Sequence, residues 1–308
     1  MNQGRRMRQI AIIGCGTIGA SWAAYFLSRG LTVLAHDPDP AARVAFRERV
    51  AADMTALGAE PLTPRLCDTA AGAVAEADLV VENAPESIDL KRSLLRELQA
   101  AAPAWTIVAS STSSLKHSDI VGEVADPGRV VIAHPFNPPH LVPLVELYGP
   151  DASVVARLAD FYRAIGKQPV IMRREMVGHI ANRLSSALWR EALYLLQEGV
   201  ASVEDIDRAV TAGPGLRWAI QGPFLTYHLG GGQGGIRHYL DHLGPSQQYR
   251  WASLGEPTMS DALKTRVVEG VEKATRGEAL DVLFARRDAR LVALQRTLGE
   301  AANEEMTP

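Results

Sequence analysis

Ile10-Ala-Ile-Ile13-Gly14-Cys15-Gly16-Thr17-Ile18-Gly19 is the stretch whose reading decides the fold. Four apolar residues have the length of a buried strand, three glycines follow at the spacing G-x-G-x-x-G, and an apolar stretch through Ala20, Trp22, Ala23 and Phe26 reads as a helix ending at Gly30. The first glycine permits a tight turn, the second lets backbone approach a diphosphate, and the third lets the helix pack closely on the strand. Residues 31–35 read as a second strand, closed by His36-Asp37-Pro38, and residues 41–57 as a helix rich in Ala and Arg, which completes a β-α-β unit. Asp37 lies 18 residues beyond Gly19. A carboxylate there accepts hydrogen bonds from a ribose 2′-hydroxyl and repels a 2′-phosphate, so the pattern predicts NAD, with its diphosphate on Gly14, Gly16, Thr17, Ile18 and Gly19. Taken singly, Asp37 also reads as a plain surface acid after a strand.

Working outward, further strands are expected at 79–82, 106–110, 130–133, 144–147 and 170–172, with helical stretches between most of them. Strands alternating with helices imply a mostly parallel sheet covered on both faces. After about Arg174 strand-like runs cease and helical periodicity dominates. The fold class is therefore α/β, a Rossmann-type sheet followed by an all-helical C-terminal domain, with boundaries at 7–174 and 175–308. The first helix of the second domain is expected at 178–198, with an apolar stripe of Ile180, Leu184, Ala187, Leu188, Ala192 and Leu195 packed on a partner helix. Ser202 with Asp205 reads as a helix N-cap, and Ala212-Gly-Pro-Gly215 and the glycines from 230 to 235 as breaks.

Composition narrows the function classes. The 308 residues are 47% hydrophobic and 22% charged, and 32 Lys and Arg against 35 Asp and Glu give a net charge of -3. Such a chain has no global basic field for nucleic acid, and no stretch approaches the ~20 apolar residues of a membrane span. Arg5, Arg6 and Arg8 precede the first apolar run, but that run is only a strand long before Gly14, which reads as fold rather than export signal. Cys15 and Cys67 form no C-x-x-C, so a reducing cytoplasm is the expected home, Cys15 is expected merely to pack, and no metal site is expected. His238 and His242, four apart beside Asp241, have helical metal spacing but lack a third ligand, and read as structural or interfacial.

Ser110-Ser-Thr-Ser-Ser114 and His134-Pro-Phe-Asn-Pro-Pro139 end consecutive strands, where ligand crevices of open α/β sheets form. Glu146 follows His134 by 12 residues near the end of the next strand, and a hairpin-like return could bring the carboxylate beside the imidazole. By periodicity alone, His134 reads more readily as a buried-core or turn histidine.

With Glu82-Asn-Ala-Pro-Glu86 and Ile180-Ala-Asn182-Arg183 added, the chain resembles the L-3-hydroxyacyl-CoA dehydrogenase superfamily over nearly its whole length. The resemblance implies an NAD-dependent enzyme that oxidises a 3-hydroxyl, with His134 as general base, Glu146 as its orienting partner, and Ser113 and Asn182 as donors around the reacting oxygen. It further implies that Glu86, Lys91 and Ser111 touch the cofactor, that the enzyme is a homodimer, and that the substrate is a small hydroxy acid. Within the superfamily the chain resembles the branch acting on free hydroxy acids, most closely the L-carnitine 3-dehydrogenases, through Gly215-Leu-Arg-Trp218, Gly222-Pro-Phe-Leu-Thr-Tyr227 and Gly235-Ile-Arg-His-Tyr239. The L-gulonate 3-dehydrogenases share the serine run and the His134 segment. For a trimethylammonium substrate, Trp218, Phe224 and Tyr227 are candidate cage residues and Arg217 a candidate carboxylate partner; helix packing and a surface ion pair account for them equally well. Val177-Gly-His179 departs from the superfamily's usual Pro-Gly-Phe. Residues 41–66 contain no lysine, which ranks a CoA thioester below a free acid.

Overall fold

A computed structural model describes residues 6–305; Arg5 and the last three residues of the expected helical domain lie outside them. The chain divides into two compact units, one reaching Arg183 and including Asp288–Ala293, the other comprising Leu184–Arg287 and the chain from Leu294 onward.

The first unit runs β1 (Gln9–Ile13), α1 (Thr17–Ser28), β2 (Thr32–His36), α2 (Pro40–Ala56), β3 (Arg65–Leu66), α3 (Ala70–Val74), β4 (Leu79–Glu82), α4 (Ile88–Ala101), β5 (Ile107–Ser110), α5 (His117–Ile120), β6 (Val130–Pro135), β7 (Leu144–Tyr148), α6 (Ala152–Ala164) and β8 (Gln168–Ile171). The sheet order is β3-β2-β1-β4-β5-β6-β7-β8. Pairing is parallel from β3 through β6, β7 runs antiparallel to β6, and β8 runs parallel to β7. Between β3 and β4 the chain crosses to the other side of β1, so the carboxyl ends of β1 and β4 form the switch point where α/β sheets bind ligands.

Alternation along β1 assigns the two faces of the core. Ile10 and Ile12 join Trp22, Phe26, Phe46 and Tyr162 on one face, while Ala11 and Ile13 join Leu95, Leu98 and Ile120 on the other. Helix starts follow local capping chemistry: Asp39 caps α2 with Pro40 at its first position, Thr69 caps α3, Ser87 caps α4 and Asp151 caps α6.

From α7 (Ala181–Gln197) the chain is helical: α8 (Val203–Ala212), α9 (Pro214–Trp218), α10 (Pro223–Gly230), α11 (Gly235–Ala252), α12 (Asp261–Thr275) and α13 (Leu280–Glu305). Ser202 caps α8, donating to the Asp205 carboxylate and accepting its backbone N–H. Two expectations are corrected. The helix expected from 178 starts at Ala181, because Gly178 (φ +73°) and His179 (φ +52°) occupy left-handed backbone that a helix cannot contain. Its expected stripe is not what it buries: Ile180, Leu184 and Leu188 are exposed, whereas Leu193 and Leu196 pack with Leu263, Val203, Ile206 and Val267. The strand expected at 170–172 lies slightly earlier, and the two-residue β3 adds a strand beyond those expected.

Candidate active site

The glycine turn fits a dinucleotide on the structure's own terms. Gly14 has φ +95°, and a β-carbon there would lie 2.8 Å from the Asn83 carbonyl carbon; one on Gly19 would lie 2.0 Å from the Gly14 carbonyl oxygen. Gly16 faces open space, with no atom within 4 Å of a built β-carbon. Two glycines are thus required by packing, and the third leaves a cradle at the N-terminus of α1, whose first N–H groups have no partner within the helix. Asp37 stands beside this turn, its Oδ2 accepting the Cys15 N–H at 2.8 Å and its Oδ1 that of Asp39 at 2.9 Å. Next to the cradle, at the ends of β4 and β5, Asn83 Oδ1 and Ser111 Oγ are buried without a partner. Orphaned buried polar atoms are uncommon, and here they line the switch point, as groups awaiting a polar ligand do.

His134 and Glu146 face each other directly across the β6–β7 pair. His134 Nδ1 lies 2.9 Å from Glu146 Oε2, with the histidine 5% and the glutamate 1% exposed. The other carboxylate oxygen accepts the N–H groups of Ile180 at 2.8 Å and Ala181 at 2.9 Å, where α7 starts. Burial alone pushes the Glu146 carboxyl up, but the hydrogen bonds from His134, Ala181 and Ile180 outweigh it and hold the group below the ordinary glutamate range. An ionised carboxylate only accepts, so Nδ1 of His134 carries the hydrogen of this contact, and in the neutral imidazole the lone pair is on Nε2.

The serine run is gathered around Glu86. Its carboxylate accepts from Thr112 Oγ1, from Ser113 N at 2.5 Å and Ser113 Oγ at 2.8 Å, and from Ser114 N at 3.2 Å. Burial raises the Glu86 carboxyl, and these bonds, with Lys91 nearby, reverse the shift to below the usual range. The Ser113 proton is therefore committed to Glu86, so its oxygen offers a neighbour lone pairs unless the hydroxyl rotates. Asn182 Nδ2 donates to the Ser113 carbonyl at 3.1 Å. Lys91 is 1% exposed and points inward: Nζ donates to both Glu82 oxygens, at 2.8 and 3.0 Å, and to the Ala84 carbonyl at 2.9 Å. Its ammonium lies 3.9 Å from Glu86.

His179 was visible in the sequence only as a departure from a motif. The structure places its ring 5.1 Å from that of His134, with Nε2 3.0 Å from the Thr112 carbonyl and Nδ1 buried without a partner. Burial, more than any neighbour, lowers its affinity for a proton, and the His134 ring adds to the effect. Glu82 and Asn83 stand out in the sequence only as part of a motif; their burial and contacts depend on pairing between distant strands. Lys167 had no sequence signal as a site residue. Its ammonium donates to the carbonyls of Pro139 and Val142, which hold the loop after His134, and it lies 3.7 Å from the Tyr25 ring centre. Burial, then the charge of Arg29, pushes this lysine down to about 7.

In the helical unit Arg217, Trp218 and Tyr227 line a cavity of about 570 Å³, together with Tyr239, whose ring centre is 4.9 Å from that of Tyr227. Phe224 is not part of its lining and is 86% exposed. His238 and His242 stack on each other at 4.1 Å. Among the described residues no helix is long and apolar enough to cross a membrane.

Comparison with known proteins agrees with this architecture. Residues 9–176 match the family model for the 3-hydroxyacyl-CoA dehydrogenase NAD binding domain, and residues 178–271 that for the C-terminal domain. The chain is 47% identical over 309 residues to an L-carnitine dehydrogenase of Nocardiopsis dassonvillei, covering 97% of this chain and 94% of the relative. It is 46% identical to an L-carnitine dehydrogenase of Streptomyces coelicolor, covering 99% of each. Among solved structures, the NAD⁺-dependent dismutase 5-formyl-3-hydroxy-2-methylpyridine 4-carboxylic acid 5-dehydrogenase superposes with a TM-score of 0.81 at 32% identity, over 95% of this chain and 99% of that one. With its cradle, its buried dyad and both domain models in register, the chain belongs to the 3-hydroxyacyl-CoA dehydrogenase family, as an NAD-dependent hydroxy acid dehydrogenase.

Proposed function

We propose that the protein oxidises the 3-hydroxyl of L-carnitine to the 3-keto acid, with His134 as the general base. The observation that carries the chemistry is the buried 2.9 Å contact between His134 Nδ1 and Glu146 at the carboxyl edge of the sheet. Nε2 of His134 takes the hydroxyl proton, and Glu146 fixes the tautomer and stabilises the imidazolium that forms. The glycine turn of residues 14–19 would hold the diphosphate of NAD and Asp37 a ribose hydroxyl, and the bound cofactor would supply the oxidising power as acceptor of a hydride from C3. Glu86 keeps the serine run in place; with its hydroxyl turned from Glu86 towards the carbinol oxygen, Ser113 would join Asn182 in positioning the carbinol, a contribution through orientation. Ser111 Oγ and Asn83 Oδ1 are the polar atoms available to the cofactor beyond the glycine turn.

Support for carnitine over other hydroxy acids comes from the relatives' names and from the chemistry of the helical cavity. A trimethylammonium group donates no hydrogen bonds and favours aromatic faces, which Trp218, Tyr227 and Tyr239 offer, while Arg217 suits a carboxylate. We assign residues 175–308 to the substrate and dimerisation domain. Large apolar side chains exposed on α10 and α11, among them Phe224 and Trp251, support packing of that domain against a second copy. The free thiols of Cys15 and Cys67 support a reducing, cytoplasmic setting. NADH formation with L-carnitine, L-gulonate and 3-hydroxybutyryl-CoA, each in turn, tests the substrate. L-Carnitine is expected to give the highest kcat/KM; preference for either of the others overturns the assignment.

A further inference from the structure

At the amino-terminal end of β1, opposite the dinucleotide cradle, four arginines surround a cavity of about 730 Å³: Arg6 and Arg8 before β1, Arg29 after α1 and Arg157 on α6. Phe161 supplies an apolar wall. Strand β1 separates this cavity from Gly14, and at ~3.3 Å per residue the six steps from Arg8 to Gly14 span roughly 20 Å. It is therefore not part of the NAD site. The acids nearby leave the arginines in excess. Asp160, on the rim, is paired with Arg163 at 2.8 Å, and Asp78 accepts the backbone N–H groups of Arg8 and Gln9 while also acting electrostatically on Arg157. Arg157 donates to the Trp105 carbonyl at 2.8 Å, and its Nε is buried with no partner. Burial disfavours the charge on this guanidinium, so an anion beside it would offset a cost already present in the fold.

We propose that this arginine-lined cavity is a second ligand site, separate from the active site, which binds the phosphate chain of a nucleoside polyphosphate with the base against Phe161. Guanidinium groups pair with phosphate oxygens through parallel N–H donors, and a cluster of them selects a multiply charged, compact anion over a single carboxylate. The aromatic wall selects a phosphate that carries a planar apolar body. The site also explains the basic residues before β1, which the dehydrogenase chemistry does not use.

Calorimetry on the full-length protein saturated with NADH, so that the dinucleotide cradle is filled, tests the site with ATP, inorganic tripolyphosphate and adenosine as probes. Saturable binding of ATP is expected, with tripolyphosphate weaker and adenosine silent. Binding should weaken by at least about tenfold in an R6E/R8E double variant and with rising salt, as charge-assisted contacts do. An R47E/R49E variant, which changes net charge equally on the exposed face of α2, should bind ATP as the wild type does. Unchanged NADH turnover in both variants verifies that they are folded. Absence of ATP binding, or equal loss in both variants, overturns the proposal; tripolyphosphate binding as tightly as ATP overturns the role of Phe161 and leaves a site for the polyphosphate alone.

Discussion

Glu146 Oε2 lies 2.9 Å from His134 Nδ1, and the two residues are direct partners across an antiparallel strand pair in an otherwise parallel sheet. The reversal at β7 is what permits this: side chains opposite each other in such a pair share a face, so strand register alone sets acid beside base. Replacing the acid by Glu146→Gln keeps the shape but loses the ionised acceptor. Turnover should fall by about 10- to 100-fold with NADH affinity retained, as read by steady-state kinetics and fluorescence titration.

The same carboxylate predicts a pH dependence of stability. Its folded-state pKa lies below the unfolded value of 4.5, so its contribution is complete above that value and is lost as pH falls through the folded-state range. Urea unfolding between pH 3 and 6 should show a shallower acid loss for Glu146→Gln than for the wild type, though from a lower starting stability. An unaltered acid slope would contradict the shift.

The glycines of the turn should separate by variant. Gly16→Val meets open space, so the fold should persist with its melting temperature nearly unchanged, while NADH binding weakens by about tenfold or more as the cradle fills. Gly19→Ala drives a methyl onto the Gly14 carbonyl oxygen and should destabilise the protein itself. Thermal melts with and without NADH distinguish the two.

Much of the fold is legible in the sequence. The β-α-β unit announces itself because strand, turn and helix are local, and the spacing from His134 to Glu146 spans one reversal rich in proline. What escaped reading depends on distant partners. Nothing local reveals that Lys91 turns inward to Glu82, that α7 leaves Leu184 exposed while burying Leu193, or that Phe224 stays outside the cavity lined by Trp218 and Tyr227. The late start of α7 is half legible, since Gly178 permits a left-handed turn, but nothing local shows that His179 also takes a positive φ with its ring bonded to the distant Thr112 carbonyl.

Lys167→Met removes the donor from the Pro139 and Val142 carbonyls, and each buried acceptor left unpaired costs about 1–3 kcal/mol. Turnover should fall with stability, because those carbonyls belong to the loop that follows His134. In the wild type this lysine's folded pKa of about 7 lies below its unfolded value of 10.5, so its contribution is complete above 10.5 and is lost as pH falls towards 7. Unfolding measured across that window should steepen in the wild type relative to the variant.

His179→Phe keeps a ring against His134 but leaves the Thr112 carbonyl without its donor. A loss of about 1–3 kcal/mol in unfolding free energy is expected, with a fall in kcat as the serine run loosens. Because the folded-state affinity of His179 for a proton is lowered, its contribution is complete above pH 6.5 and fades on acidification below that value; the variant should lack this fade.

The most direct test of the account is the rate of NADH formation from L-carnitine by His134→Ala alongside the wild type, with NADH binding measured on both. Loss of about 10²- to 10⁴-fold in kcat with cofactor affinity intact is the predicted result. Turnover by the variant at close to the wild-type rate would contradict His134 as the base that removes the hydroxyl proton.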